Sequence, residues 1–200
     1  MSQTTDPFAP AMQQMMQAGQ AMAQQFFGFL GSQQARHPLG GAPIRIGTPD
    51  PEKLSGLQRD FLQKQAQLWN AMLARQKAGG AGDGVASFEI PAESGDRRFS
   101  APEWKESPVF DYIRQSYLLN AGFLRDLVEL TPVEDDKAKS RLRFLARQYL
   151  DAVAPSNFAA TNPEFIKLAV ETKGRSITEG INNLIADVEK GRISMTDDSA

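Results

Sequence analysis

VFDYIRQSYLLNAGFLRDLVEL, residues 109–130, decides the fold class. Tyr112, Ile113, Tyr117, Leu118, Phe123, Leu124, Leu127 and Val128 fall in helical register and cover most of the helix circumference. A helix that is apolar nearly all round is a buried one, and amphipathic neighbours must supply its cover. Thr131-Pro132 ends it, because proline pushes the preceding residue out of helical geometry. Val85–Ile90 could form a short extended segment, but a lone strand has nothing to pair with. Arg97–Glu106 reads as irregular.

Towards the C-terminus three more helices are predicted. The one over 134–153 opens on Glu134-Asp135-Asp136 and continues through Lys137, Lys139, Arg141, Arg143 and Arg147, a charge order that suits the helix dipole. Leu142, Leu145, Tyr149 and Val153 line its inner face, and the basic run reads as solvated outer charge rather than an anion site. Pro155 stops it. Asn162 caps a helix over 163–173, in which Phe165, Ile166, Leu168, Ala169 and Val170 are expected to pack and Gly174 to terminate. Ser176-Ile177-Thr178-Glu179 has the form of a capping box for a helix over 177–190, striped by Ile177, Ile181, Leu184, Ile185 and Val188.

Towards the N-terminus the composition changes. No charged side chain occurs between Pro7 and Ala35. Met12, Met15, Met16, Met22, Phe26, Phe27 and Leu30 follow one helix face, and glutamines take the other. A second amphipathic helix opens at Thr48-Pro49-Asp50-Pro51-Glu52, with Asp50 as N-cap, and carries Leu54, Leu57, Phe61, Leu68 and Met72. Gly79, Gly80, Gly82 and Gly84 mark a linker. The expected architecture is therefore all-α: a compact bundle of about four helices (109–130, 134–153, 163–173, 177–190) behind a flexible arm with two amphipathic helices. The arm takes residues 1–47, the second helix 48–78, the linker 79–94, the compact domain 95–191 and a polar tail 192–200.

Composition removes whole classes of function. The 200 residues hold 22 basic and 24 acidic side chains, so no basic surface points to nucleic acid. There is no cysteine, which excludes a thiolate metal site, a disulfide or a cysteine nucleophile in this chain. The single histidine, His37, sits in a turn-rich stretch, and no Gly-x-Ser-x-Gly elbow is present. The glycine run lacks the Lys-Ser/Thr of a phosphate loop. The consecutive acids 134–136 diverge around a helix instead of converging on a metal. No catalytic, cofactor-binding or metal-binding residue is assigned, and no cofactor is expected. No apolar run approaches the ~18–20 residues of a membrane span, and no signal peptide is visible. A cytoplasmic location is expected.

Three segments carry a resemblance. Arg97-Arg98-Phe99-Ser100-Ala101-Pro102-Glu103-Trp104 runs on to Tyr117-Leu118-Leu119-Asn120-Ala121; then come Pro155-Ser156-Asn157-Phe158-Ala159-Ala160-Thr161-Asn162-Pro163-Glu164 and Gly191-Arg192-Ile193-Ser194-Met195-Thr196-Asp197. In order and rough spacing they resemble the N-terminal region of class I poly(3-hydroxyalkanoate) polymerases. The likeness covers about residues 95–200. It implies a parent enzyme that moves 3-hydroxyacyl groups from coenzyme A onto a polyester, using a Cys-His-Asp triad in a C-terminal α/β-hydrolase-like domain that this sequence stops short of. No triad position exists here, so the chain alone is expected to be inactive.

The resemblance further implies a supporting role in activity, stability, dimerisation and association with polyester granules or granule proteins. Its expected partners are the catalytic domain, a second synthase subunit, granule-associated proteins or the granule surface. Phe99, Trp104 and Phe110 would suit docking on the catalytic domain, or would fill the domain's own core. The Met12–Leu30 face would suit a neutral polyester surface or a partner's groove, or would fold back on its own protein or stay disordered until bound. The competing readings are a stand-alone phasin-like granule-coat protein and a generic helical adaptor.

Overall fold

The structure, a computed structural model, describes residues 21–32, 44–77, 88–93 and 95–179, with residue 182. It is an all-α bundle. The helices are α1 over 21–32, α2 Pro51–Lys77, α3 Glu103–Glu106, α4 Pro108–Leu130, α5 Asp136–Ala152, α6 Pro163–Glu171 and α7 over 175–179, with a 3-10 turn at Pro155–Asn157. Among the described residues no strand forms. A single antiparallel bridge joins Ile46 to Val133.

The quoted stretch is the centre of the molecule. Twelve of the 23 residues of α4 are buried and only Val109, Asp126 and Glu129 are exposed, which is why its apolar pattern covers most of the circumference. α2, α3 and α5 all pack on it. On α2, Phe61, Gln65 and Leu68 lie one and two turns apart and turn inward. The Phe61 ring sits 4.7 Å from that of Phe123, and Trp69 meets Tyr112 edge-on at 5.8 Å. Asp50 caps α2, its Oδ1 accepting from the backbone N–H groups of Glu52 at 2.9 Å and Lys53 at 3.1 Å. α1 and α2 precede the bundle in sequence, yet both contribute to its core. Ala23, Phe26 and Leu30 of α1 belong to the same apolar cluster as Leu124 and Leu142.

Some element boundaries differ from those read in the sequence. Within the irregular stretch, Pro102 takes helical φ and ψ, and Glu103–Glu106 winds into one turn that drives Trp104 to full burial. α5 begins at Asp136 rather than 134, because Asp135 is extended and its side chain accepts from the Ala138 N–H at 2.7 Å. α6 ends at Glu171. The Lys173 N–H donates to the Val170 carbonyl at 3.1 Å and the Gly174 N–H to that of Ala169 at 2.8 Å, a Schellman closure. It places Lys173 at φ 50° in the left-handed region. The Gly174 carbonyl then accepts from Ile177 and Thr178, so α7 opens at 175 and Ser176 is not its cap. The 177–190 stripe beyond residue 179, residue 182 apart, lies outside the described residues.

The 155–164 segment folds as it does because its polar side chains satisfy its own backbone. Asn157 Nδ2 donates to the Asp151 carbonyl at 2.7 Å, Thr161 Oγ1 to that of Pro155 at 2.7 Å and Asn162 Nδ2 to that of Ser156 at 2.9 Å. Asn162 Oδ1 meanwhile caps α6, accepting from Glu164 and Phe165.

Candidate functional site

The residues singled out from sequence have unequal fates. Met12, Met15 and Met16 lie outside the described residues. Phe26 and Leu30 are fully buried in the bundle, and Met22 and Phe27 pack against the same core. Phe26 lies 5.6 Å from the Tyr149 ring of α5, whose hydroxyl donates to Gln25 Oε1 at 3.2 Å. Phe99 and Trp104 stack edge-on at 5.0 Å, and Trp104 meets Phe110 at 6.2 Å. Phe99 and Trp104 are thus core residues in this structure, and Phe110 packs on that core.

Two polar hubs organise the interior, and neither was visible in the sequence pattern. Asp111 of α4 accepts from Arg75 at 2.5 Å, from Arg114 at 2.7 Å and from Gln115 at 2.9 Å. Gln115 Oε1 also accepts from the Ile90 N–H at 3.0 Å, which pins the 88–93 segment to α4. A cavity of about 320 Å³ lies beside this hub. Its cations Arg75, Arg114 and Lys105 are already paired to Asp111 and Glu89, so it presents no free charge to a ligand. In the second hub, Arg98 grips Asp96 through two nitrogens and reaches Tyr117 at 2.8 Å and Asp151 at 2.9 Å. That hydrogen bonding holds the Asp96 carboxyl below its ordinary pKa, while desolvation pushes the Tyr117 phenol upward. Both hubs are structural in geometry, since every charged group in them faces a partner.

Among the described residues no cluster of His, Asp or Glu could hold a metal, and no helix is long and apolar enough to cross a membrane. The surface feature that stands out is α6. Its apolar residues were expected to pack, yet Pro163 is its one buried residue. At 100° per residue, Pro163 and Lys167 share the side facing α3, where Lys167 Nζ meets Glu103 Oε1 at 2.6 Å. Phe165 and Leu168 fall on the opposite arc and are 37 % and 49 % exposed, whereas Val170, 72 % exposed, falls on the Pro163 side near the C-terminal end of the helix. Five of the ten exposed large apolar residues in the described chain lie between 158 and 177, counting Phe158 and Ile177. These five are close in sequence, and of them Phe165 and Leu168 are neighbours on one face of α6. Sequence periodicity found the stripe but could not say whether it turns inward.

Comparison with known proteins bears on what such a surface meets. Residues 95–200 match the family model of the poly-beta-hydroxybutyrate polymerase N-terminus. The chain is 36 % identical over 150 residues to a poly(3-hydroxyalkanoate) polymerase subunit of Cupriavidus necator, covering 75 % of this chain and 23 % of that protein. It is 35 % identical over 155 residues to a poly(3-hydroxyalkanoate) polymerase of Methylorubrum extorquens, covering 76 % and 25 %. A polymerase subunit of Rhizobium meliloti is 31 % identical over 145 residues, covering 72 % and 23 %. The chain thus spans about a quarter of the length of these curated relatives. No solved structure matches it. With the family match covering more than half of its length, the chain belongs to the poly-beta-hydroxybutyrate polymerase N-terminus family.

Proposed function

We propose that this chain serves as the non-catalytic N-terminal region of a polyhydroxyalkanoate polymerase, and that the apolar arc of α6 docks it onto the catalytic domain. The parent enzyme would join 3-hydroxyacyl groups from coenzyme A into storage polyester, with its Cys-His-Asp triad in the catalytic domain. The observation that carries this reading is the exposed Phe165–Leu168 arc on a helix inside the family-matched region. A lone domain gains nothing by leaving such an arc in water, whereas a docking domain needs it. The relatives, about four times as long, supply a partner of adequate size. A coat protein or a generic adaptor has no comparable support, because the family match is to a polymerase. Support of stability, dimerisation and granule association belongs to the same proposal, with the Met12–Leu30 face as the granule or partner contact, a use that requires Phe26 and Leu30 to leave the core.

The docking claim is tested by isothermal titration of the purified chain against the catalytic domain of a related polymerase lacking its own N-terminal region. The double substitution Phe165→Ser with Leu168→Ser should weaken binding by about tenfold or more, in line with loss of two apolar anchors. Both residues are exposed, so the melting temperature should hold. Unchanged affinity in the double variant would remove α6 from the interface.

A further inference from the structure

We propose that the cavity beside Asp111 is an anion site for a small phosphomonoester, closed in this structure by the protein's own Glu89. This goes beyond the polymerase reading above and does not depend on it. The cavity encloses about 320 Å³, within the ~300–1,000 Å³ typical of ligand sites. α2 contributes Met72 and Arg75 to its wall, α3 Lys105, α4 Tyr112 and Arg114, and the 88–93 segment Phe88 and Glu89.

Its two carboxylates are held very differently. Asp111 accepts from Arg114 at 2.7 Å, from Gln115 at 2.9 Å and from Arg75, and 9 % of its side chain is exposed. Glu89 instead offers a single oxygen to two cations, its Oε1 standing 3.4 Å from Lys105 Nζ and 3.5 Å from Arg114 Nη2. Both distances exceed the ~2.7–2.9 Å of a charge-assisted hydrogen bond. The Glu89 side chain is 53 % exposed, whereas that of Arg114 is 5 % exposed. A guanidinium buried that deeply favours a second anion at hydrogen-bond distance, and Glu89 stops short of it.

Glu89 is free to leave without disturbing the fold. The backbone beside it is fixed, because the Ile90 N–H donates to Gln115 Oε1 at 3.0 Å and the Ile90 side chain is buried. Swinging the carboxylate into water leaves Arg75, Lys105 and Arg114 against Asp111 alone, an excess of two positive charges (three less one). A phosphomonoester carries about −1.5 to −2 at neutral pH and has three terminal oxygens. It matches that excess and gives Lys105 and Arg114 an oxygen each. A carboxylate or sulfonate monoanion leaves one charge unmatched, as Glu89 does. Met72, Phe88 and Tyr112 offer an apolar wall to the organic part of the ester. The cavity on the other side of Glu89 has the opposite balance, with Asp60, Glu89 and Asp126 against Lys64 and Arg125, so it repels the same ligand.

The test titrates phenyl phosphate into the 200-residue chain at neutral pH, with affinity read by calorimetry and location by NMR of arginine Nε–H groups. The expected result is saturable binding that shifts Arg75 and Arg114 and leaves Arg98 in place. Glu89→Gln keeps the shape and removes the competing charge, so it should bind about fivefold tighter or more. Lys105→Gln should bind about fivefold weaker or more. Both side chains are more than half exposed, so neither change should move the melting temperature. Benzenesulfonate, with the same ring and one negative charge, should bind more weakly than phenyl phosphate, and so should inorganic phosphate, which lacks the ring. The proposal fails if Arg114 does not respond, if Glu89→Gln binds no tighter, if Lys105→Gln binds as the wild type does, or if either control ligand matches phenyl phosphate. The Phe165→Ser, Leu168→Ser double variant should bind phenyl phosphate normally, so the fate of this site is read separately from that of the α6 interface.

Discussion

Arg98 shows how much one side chain can bring together. Its guanidinium holds Asp96 two residues away, Tyr117 on α4 and Asp151 on α5, and the Tyr117 hydroxyl passes on to the Leu150 carbonyl at 2.8 Å. The planar fork suits bidentate capture of a carboxylate, which a lysine could not reproduce. Asp96 is held charged in the fold, first by its hydrogen bonds to Arg98, so its folded pKa lies below the unfolded one. The unfolded chain therefore takes up the proton first as pH falls. The stabilisation is complete above the ordinary carboxylate range of about 4 and is lost as pH drops through the folded value. Asp96→Asn should cost about 1–2 kcal/mol at neutral pH. The gap in melting temperature between wild type and variant should then close on acidification, and a gap that stays constant with pH would assign the effect to shape instead of charge. Only the resemblance marked this residue in the sequence, where Arg97 and Arg98 look alike. What separates them is the arrival of three partners from distant positions, and no local pattern encodes that.

At the scale of elements, helix ends were the most legible features and the faces of short helices the least. Asp50 and Asn162 cap α2 and α6 as their residue types and following prolines indicate. The C-terminus of α4 depends on something less local. Lys139, one turn into α5, donates to the carbonyls of Val128 at 2.9 Å, Glu129 at 3.0 Å and Thr131 at 2.6 Å. A cation on those carbonyls adds a donor where the helix runs out of its own, Val128 O taking only the Thr131 N–H at 3.3 Å besides, and meets the negative end of the dipole. In the sequence Lys139 reads as one of five solvated basic residues. Lys139→Met keeps most of the stem and removes the ammonium, so it should cost about 1–2 kcal/mol in chemical denaturation, whereas Lys137→Met should cost almost nothing. Equal effects at the two positions would show that Lys139 acts only through surface charge. The α6 stripe went the other way. Its spacing resembles that of α5, but α5 has α4 beneath it, while the outer arc of α6 faces no described element. Periodicity reports a preference for burial, and the partner that satisfies it need not be in the same fold.

Across the whole molecule, the same residues of α1 have two candidate uses that exclude each other. Phe26 and Leu30 cannot lie in the bundle core and on a polyester surface at once. If α1 is the granule contact, the helix must leave the core first, and the equilibrium for that release taxes the apparent affinity. Tyr149 is the natural lever, since it touches Phe26 and Phe29 and hydrogen-bonds Gln25 without belonging to the fully buried interior. Tyr149→Ala should lower stability by about 1–3 kcal/mol through lost ring contacts and loosened docking of α1. It should also raise retention of the chain on polyhydroxybutyrate granules in a sedimentation assay, because the released face becomes available more often. If stability falls while retention stays the same or drops, α1 works as a fixed wall of the bundle, and the contact with polymer must be made by residues that remain exposed when the helix is docked. The uncharged, methionine-rich pattern of residues 8–30 was legible as a face seeking neutral apolar surface. Its own core offers such a surface as readily as a polyester does, so only the free-energy difference between the two, which this variant shifts, decides where the helix lies.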